Sequence, residues 1–315
     1  MSKIRIAIVR GGPSDEHDVS LSSARSIIEN LDMAKYEVVD VFVSKEGKWS
    51  IDGASSTDDD SAIEHLKQHG IDVVFLAVHG TYGEDGVLQK KLETSGLKFT
   101  GSDWMASQLA FDKSEADKVY RKNDLLVPKT QVIDSIDDKI ILDVPLVVKP
   151  ASQGSSVGVT IVKDNESLSN AVKRAFENDH RALVQELIVG REVSCGVIEI
   201  ADGLTALPPT EIIPRSAEFY DYDAKYVAGA SEEITPPNMP EETIGRIQQL
   251  SKQAHVALGC KGYSRTDMFV NNNDEIYIIE TNTLPGMTPT SILPQQAAAA
   301  GISFSDLLDQ IIDNA

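Results

Sequence analysis

Residues 263–282 read YSRTDMFVNNNDEIYIIETN, two runs of β-branched, aromatic and alternating polar residues around a cluster of Asn and Asp. Runs of this kind bounded by turn formers predict a β-hairpin. A two-residue turn at Asn273-Asp274 pairs Asn272 with Glu275, since Asn and Asp tolerate the left-handed angles that such turns need. This register sets Asp267 opposite Glu280 and Arg265 opposite Asn282. Alternation along each strand then puts all four side chains on one face. Two carboxylates and an amide oxygen together suit Mg²⁺, which prefers hard oxygen ligands and keeps waters or phosphate oxygens as the others. The adjacent guanidinium can address phosphoryl or carboxylate oxygens with two parallel bonds. The plainer alternative is a solvated face holding an Arg/Asp salt bridge. The next residues, TLPGMTPTS (283–291), form a glycine-bearing turn before a helix start, where an anion could sit.

A second glycine-rich stretch, PLVVKPASQGSSVGVT (145–160), raises the same question of phosphate. It is not a Walker loop, in which the lysine follows the glycines and a helix comes next. Here Lys149 precedes them, at the end of one strand, and residues 158–163 read as another. Glycines and the hydroxyls of Ser155 and Ser156 at a hairpin tip can form an anion-binding nest. A polar turn between two strands is the alternative reading of the loop alone.

Around these motifs the chain alternates. Strands are expected at 4–9, 36–43 and 71–78 and helices at 19–31 and 61–69, a pattern that predicts a parallel sheet covered on both faces. Ligands of such sheets lie off the carboxyl ends of the strands, where RGGPSDEHDVS (10–20) and HGTYGEDG (79–86) emerge. A middle segment has helices at 104–111, 113–123 and 167–178 with strands at 129–133, 146–149, 159–163 and 182–187. The last segment has strands at 192–200 and 206–213, a helix at 241–258, the hairpin, and helices at 292–300 and 305–312. Residues 214–240 are expected to form a loop, long enough to act as a lid. Three units follow: 1–100, 101–189 and 190–315.

Composition narrows the class. A chain of 315 residues with 41% hydrophobic and 25% charged residues is an ordinary globular sequence. It has no apolar run of ~20 residues and no signal-peptide core, so a cytoplasmic protein without a membrane partner is expected. A net charge of −20 disfavours nucleic acid as a partner. Cys195 and Cys260, distant in sequence, define neither a zinc site nor a disulfide framework. A nucleotide site in so acidic a chain must gather its lysines locally, which singles out Lys113 and Lys149.

Taken together, GGPSDEHDVSLSSA (11–24), HGTYGEDGVLQ (79–89), FTGS (99–102), LAFDK (109–113), VVKPASQGSSVGV (147–159), EFYDYDAKY (218–226), SRTDMF (264–269) and ETNTLPGMTPTSILP (280–294) resemble the D-alanine:D-alanine ligases of the ATP-grasp superfamily over essentially the whole chain. The resemblance implies an N-terminal parallel α/β domain followed by two α+β lobes enclosing ATP. It implies ligation of two D-alanines through an acyl phosphate, as a step of peptidoglycan precursor synthesis. Lys113, Lys149 and Ser156 would meet the ATP phosphates, and Asp267, Glu280 and Asn282 would hold two Mg²⁺ ions, with Mn²⁺ as a substitute. Gln185, Glu186, Ile188, Glu192 and Phe219 would bind the nucleoside; many relatives carry Glu-Lys where Gln185-Glu186 stands. Glu16, Ser155 and Tyr226 would form a triad closing the lid, with Glu16 on the first substrate's ammonium; charge at a helix N-terminus is another reading of Glu16. His79 would lie beside the first substrate. Arg265 and the Gly286 amide would stabilise the oxyanion, and Lys225, Ser291 and Ile292 would take the second substrate. A homodimer is expected by the same resemblance. An intact Asp-Ala-Lys-Tyr (223–226) and an apolar Ile292 favour D-alanine over D-lactate or D-serine as the second substrate; an L-amino-acid ligase and a catalytically silent nucleotide sensor are the other readings.

Overall fold

The computed structural model describes residues 3–55, 57–154, 156–215 and 231–315. Strand β1 (Ile4–Gly11) carries the run Ile6 to Val9, fully buried on both faces, and so lies inside its sheet. After helix α1 (His17–Asn30), strand β2 (Tyr36–Val43) pairs parallel to β1, and β3 (Trp49–Ile51) returns antiparallel along the edge. Helix α2 (Asp59–Gln68) starts where the Asp58 carboxylate accepts from the Ser61 amide. Strand β4 (Val73–Leu76) then pairs parallel to the other side of β1, giving the order β3-β2-β1-β4. Two elements here exceed the sequence-based expectation: the three-residue β3, too short to show a period, and α3 (Val87–Ser95). Helix α3 is bounded by Gly86 and Gly96 at φ +86° and +77°, and it buries only Leu88, Gln89 and Leu92.

Helices α4 (Trp104–Phe111) and α5 (Lys113–Lys122) lead to an antiparallel sheet of β5 (Thr130–Ile133), β6 (Leu146–Pro150), β7 (Thr160–Val162) and β8 (Ala182–Glu186), in the order β5-β8-β6-β7. Helix α6 (Asn165–Phe176) covers one face, packing Ala171, Val172 and Ala175 onto Leu146, Val148 and Val184. Period-two alternation turns Val147, Lys149, Ile161 and Gln185 to the other face, which is left for the cleft.

The third sheet contains β9 (Gly190–Ile200), β10 (Gly203–Ala206), β11 (Thr210–Pro214), β12 (Ser231–Ile234), β13 (Tyr263–Asn271) and β14 (Ile276–Asn282). Its order is β12-β11-β9-β13-β14, with β10 paired to β9. Helix α7 (Glu241–Leu258) packs Ile247, Ala254 and Leu258 against Val193, Met268 and Ile278. The strand expected at 206–213 is two strands, because Pro208 and Pro209 remove two successive ladder donors. The loop expected over 214–240 includes β12, whose sequence SEEI carries charge along a sheet edge and has no apolar period.

The hairpin is built differently from its two-residue expectation, yet keeps the register that matters. Asn271, not Asn272, pairs with Glu275, the amide of Asp274 donates to the Asn271 carbonyl, and Asp274 takes φ +61°. That is a three-residue loop ending in a left-handed residue. A bulge at the step from Asp267 to Met268, opposite Ile279, shifts the ladder by one residue. Arg265 therefore pairs with Asn282 and Asp267 with Glu280 as expected. Finally α8 (Ile292–Ala299) and α9 (Phe304–Asp313) bring the chain end back to the first sheet: Leu307, Leu308, Ile311 and Ile312 share one core with Ile27 and Ile198, and Tyr36 donates to Asp309. This closure fixes the loops after β1 and β4 against the β13–β14 face.

Candidate active site

Two adjoining cavities run between the sheets. One, of about 490 Å³, is lined by Glu16, His79, Lys113, Arg265, Glu280, Asn282, Gly286, Ser291 and Ile292 among others. The second, a slot of about 140 Å³, is lined by Lys113, Lys149, Ser156, Gln185, Glu186, Ile188, Glu192, Asp267 and Glu280, with apolar walls from Val147, Ile161, Leu187, Met268, Phe269 and Ile279. They meet at Lys113 and Glu280. Every described candidate from the sequence lines one of the two. Ser155, Phe219, Lys225 and Tyr226 lie outside the described residues.

On the hairpin face, Arg265 makes a two-pronged pair with Asp267, Nε to Oδ1 at 3.0 Å and Nη2 to Oδ2 at 2.8 Å, and Ser194 donates to the same Oδ1 at 2.5 Å. Lys113 stands 3.2 Å from Glu280 Oε2 and donates at 2.6 Å to the Gln153 carbonyl, in the glycine-rich connection between β6 and β7 that forms a flap at the slot. Asn282 Oδ1 accepts from the Leu284 amide at 2.8 Å, which fixes the side chain's orientation. Underneath, Tyr120 donates to Thr281, itself 3.0 Å from Thr266, so the two strands are tied by a buried hydroxyl chain. Among the described residues no three His, Cys, Asp or Glu side chains are grouped so as to hold a metal ion. The donor set is instead two carboxylates and an amide oxygen, hard ligands of the kind that leave positions for phosphate oxygens.

Lys113 owes its position to helix α5. Asp112 caps that helix, accepting from Ser114 and Glu115, and its other oxygen takes Arg181 Nη2 at 2.5 Å. Burial alone would raise the Asp112 carboxyl, but the Ser114 hydroxyl and Arg181 hold it below the usual carboxylate range. The same short segment roots the flap: Asp179 accepts from the Ser152 amide and the Arg181 carbonyl from the Ala151 amide.

In the larger cavity Glu16 precedes α1 but its side chain makes no cap hydrogen bond to the helix. Its carboxylate lies between two backbones: a Cβ built on Gly80 or Gly154 would come within 2.9 or 3.0 Å of Oε2. His79, 4% exposed, donates from Nδ1 to the Leu284 carbonyl at 3.0 Å and meets Ser23 Oγ through Nε2 at 2.9 Å. Ser23 in turn accepts from the Met287 amide, which ties the Gly286 turn to α1. Glu84 Oε1 lies 3.6 Å from His79. Burial would lower the His79 imidazole, but Glu84 and Glu16 outweigh it and raise its pKa, while burial and Glu16 raise that of Glu84. Glu84 was missed in the sequence although it stands in HGTYGEDG, where an acid between glycines five residues after a histidine was the available signal. Ser291 stands at the N-terminal boundary of α8 without a side-chain hydrogen bond to the helix, and its hydroxyl accepts from the Thr288 amide; a Cβ on Gly286 would fall 2.7 Å from that hydroxyl, so only glycine lets that turn approach.

Two sheets that face each other across an apolar slot, a glycine-rich flap over its lysines and an acidic hairpin face at its end define an enzyme of the ATP-grasp class. Comparisons with known proteins are more specific. Residues 5–102 match the family described as D-ala D-ala ligase N-terminus and residues 118–313 that described as D-ala D-ala ligase C-terminus. A D-alanine–D-alanine ligase of Syntrophobacter fumaroxidans is 40% identical over 320 residues, covering 99% of this chain and 97% of that protein. The VanG D-Ala:D-Ser ligase of Enterococcus faecalis superposes with a TM-score of 0.86 at 32% identity, covering 99% of both chains. The Bacillus anthracis D-alanine–D-alanine ligase solved in complex with ATP gives 0.82 at 32% identity, covering 99% of this chain and 97% of that one. The chain belongs to the D-alanine–D-alanine ligase family.

Proposed function

We propose that this protein joins two D-alanines to D-alanyl-D-alanine with ATP, the dipeptide supplying peptidoglycan synthesis. The observation that carries the reading is the meeting of an apolar-walled, lysine-bearing slot and the larger cavity that holds Glu16 and Arg265, at Lys113 and Glu280. A carboxylate oxygen of the first D-alanine attacks the γ-phosphorus and ADP leaves. The amine of the second then attacks the acyl carbon, a C–N bond forms, and phosphate leaves. Lys113 and Lys149 neutralise the phosphates and Ser156 donates a hydrogen bond to them, positioning and charge compensation being the main source of catalysis in phosphoryl transfer. Asp267, Glu280 and Asn282 would hold Mg²⁺, which when bound adds charge neutralisation at the transferring group. Arg265 and the Gly286 amide meet the developing oxyanion, and Glu16, close to His79 and Glu84, takes the first ammonium. Ser291 and Lys225 bind the second carboxylate, with Ile292 against its methyl. Ser155 and Tyr226 close over Glu16, and Phe219 and Glu192 hold adenine and ribose.

The likeness to a D-Ala:D-Ser ligase supports a second reading, with D-serine as the second substrate and Thr288 and Thr290 on the cavity wall meeting its hydroxyl. The test is phosphate release from ATP and Mg²⁺ on adding D-alanine, with mass spectrometry of products from a D-alanine, D-serine and D-lactate mixture. D-alanyl-D-alanine as the dominant product is expected; a dominant mixed product replaces the first reading by the second. Nucleotide binding without D-alanine-dependent release overturns both. The need for ATP puts the reaction in the cytoplasm, and light scattering checks a homodimer.

A further inference from the structure

We propose that Thr130 sets the base preference of the nucleotide slot by holding the Gln185 carboxamide with its oxygen toward the base, an inference that rests on the slot binding a nucleotide. Thr130 on β5 and Gln185 on β8 are direct cross-strand partners. The Thr130 hydroxyl donates to the Pro128 carbonyl at 2.9 Å, an oxygen that also accepts from Arg121 Nη2 at 2.6 Å. Thr130 Oγ can then only accept, and Gln185 Nε2 donates to it at 2.9 Å. The far end of the amide is thereby fixed as an acceptor. Gln185 is 5% exposed and lines the slot, and no described group donates to its Oε1.

Lys149 pairs opposite Leu183 and Val147 opposite Gln185, so the lysine and the amide stand two residues apart along the slot face, which Leu187, Ile188, Pro128 and apolar walls suited to a planar base complete. A purine with a 6-amino group donates to a fixed acceptor. A 6-oxo purine presents a second acceptor to it and is repelled. Turning the amide round would satisfy the 6-oxo base but would make the Thr130 hydroxyl turn from the Pro128 carbonyl to Oε1, giving up the bond it makes here. A carboxylate at 185 would accept in either orientation. The carboxamide found here is an acceptor only because Thr130 makes it one, so the determinant of selectivity is a residue one strand away from the base.

The experiment compares ATP with inosine triphosphate, which differ at this edge of the base. Their affinities are measured by calorimetry with Mg²⁺ and no D-alanine, and the same nucleotides are then used in D-alanine-dependent phosphate release. The wild-type chain should prefer ATP by about 10-fold, the upper end of what one lost hydrogen bond is worth. Thr130→Val frees the amide to turn, and the preference should fall to within about 3-fold. Thr130→Ser, which keeps the relay, and Gln185→Glu, which keeps an acceptor, should retain it. Gln185→Met, which removes the acceptor, should lose it, and Thr130→Ala decides the matter if Thr130→Val does not fold. A wild-type preference unchanged in Thr130→Val, or no preference in the wild type, overturns the proposal. Discrimination in binding without D-alanine-dependent release supports it and removes the ligase reading; release without discrimination does the reverse. Failure to bind either nucleotide overturns both.

Discussion

At Gly154 the backbone runs so close to Glu16 that a Cβ would sit 3.0 Å from Oε2. The backbone angles at this position are ones that any residue adopts, so an alanine there tests contact rather than strain. Gly154→Ala should push the flap off the Glu16 carboxylate and lower kcat/KM for D-alanine by about tenfold, a loss of ~1.4 kcal/mol, with little change in Tm. Steady-state kinetics beside thermal unfolding check this, and an unchanged kcat/KM would show that the flap closes elsewhere. His255 gives a second single-residue case. It is 1% exposed, its Nδ1 meets Ser264 at 2.8 Å, and Nε2 has no hydrogen-bond partner among the described residues. Glu199 at 4.0 Å is half-exposed and too far to bond, so burial wins and pushes the imidazole from 6.5 down to about 4. The folded-state pKa lies below the unfolded one. The stabilising contribution is therefore complete above pH 6.5 and is lost as pH falls toward 4, because the unfolded chain takes the proton first. Between pH 7 and pH 5 the loss should be about 2 kcal/mol in urea unfolding, and His255→Gln should remove most of that dependence. Neither feature was legible in the sequence. A histidine on a helix and a glycine in a loop acquire these properties only from neighbours distant in the chain.

Elements carry information of another kind. The period-two pattern of residues 263–282 was enough to bring Asp267, Glu280, Arg265 and Asn282 together, although the turn holds three residues where two were expected. A bulge opposite Ile279 cancelled the difference. The face was legible because side-chain alternation survives a compensated shift; the bulge was not, since nothing in EIYIIETN marks one isoleucine as the extra residue. Strand β12 escaped notice for the opposite reason, being a charged edge with no apolar face to display. The short segment Asp179 to Arg181 shows how one connection can set two functional elements, rooting the flap through the Asp179 carboxylate and the Arg181 carbonyl and α5 through Asp112. Arg181→Met should loosen Lys113 and raise the KM for ATP about 3- to 10-fold, the loss of roughly one charge-assisted hydrogen bond. The KM for D-alanine should stay near its original value, and Arg181→Lys should recover part of the loss. A purely structural Arg181 would instead lower Tm and leave the KM for ATP where it was.

Across the molecule, each of the three sheets supplies one part of the cleft: the first-sheet loops bring Glu16 and His79, the second brings Lys149 and the flap, and the third brings the acidic face. Strand order and the return of α9 to the first core decide how these parts meet, and both are long-range facts that local patterns do not encode. The resemblance of many short motifs gave their combination in advance; the geometry adds that the two cavities share only Lys113 and Glu280 among their lining residues. Groups at that junction should act on the transfer step, and groups at the far wall on binding alone. Glu280→Gln should therefore lower kcat about 100-fold or more, as expected when charge stabilisation at a transferring phosphoryl group is weakened. Ser291→Ala should raise the KM for the second D-alanine about tenfold, the loss of a hydrogen bond to its charged carboxylate, with kcat within about threefold. Both variants are compared by initial rates over a D-alanine range wide enough to separate the two binding events. If both change kcat and KM in the same proportion, the junction is not where chemistry is separated from binding, and the assignment of Glu280 and Ser291 to different steps fails.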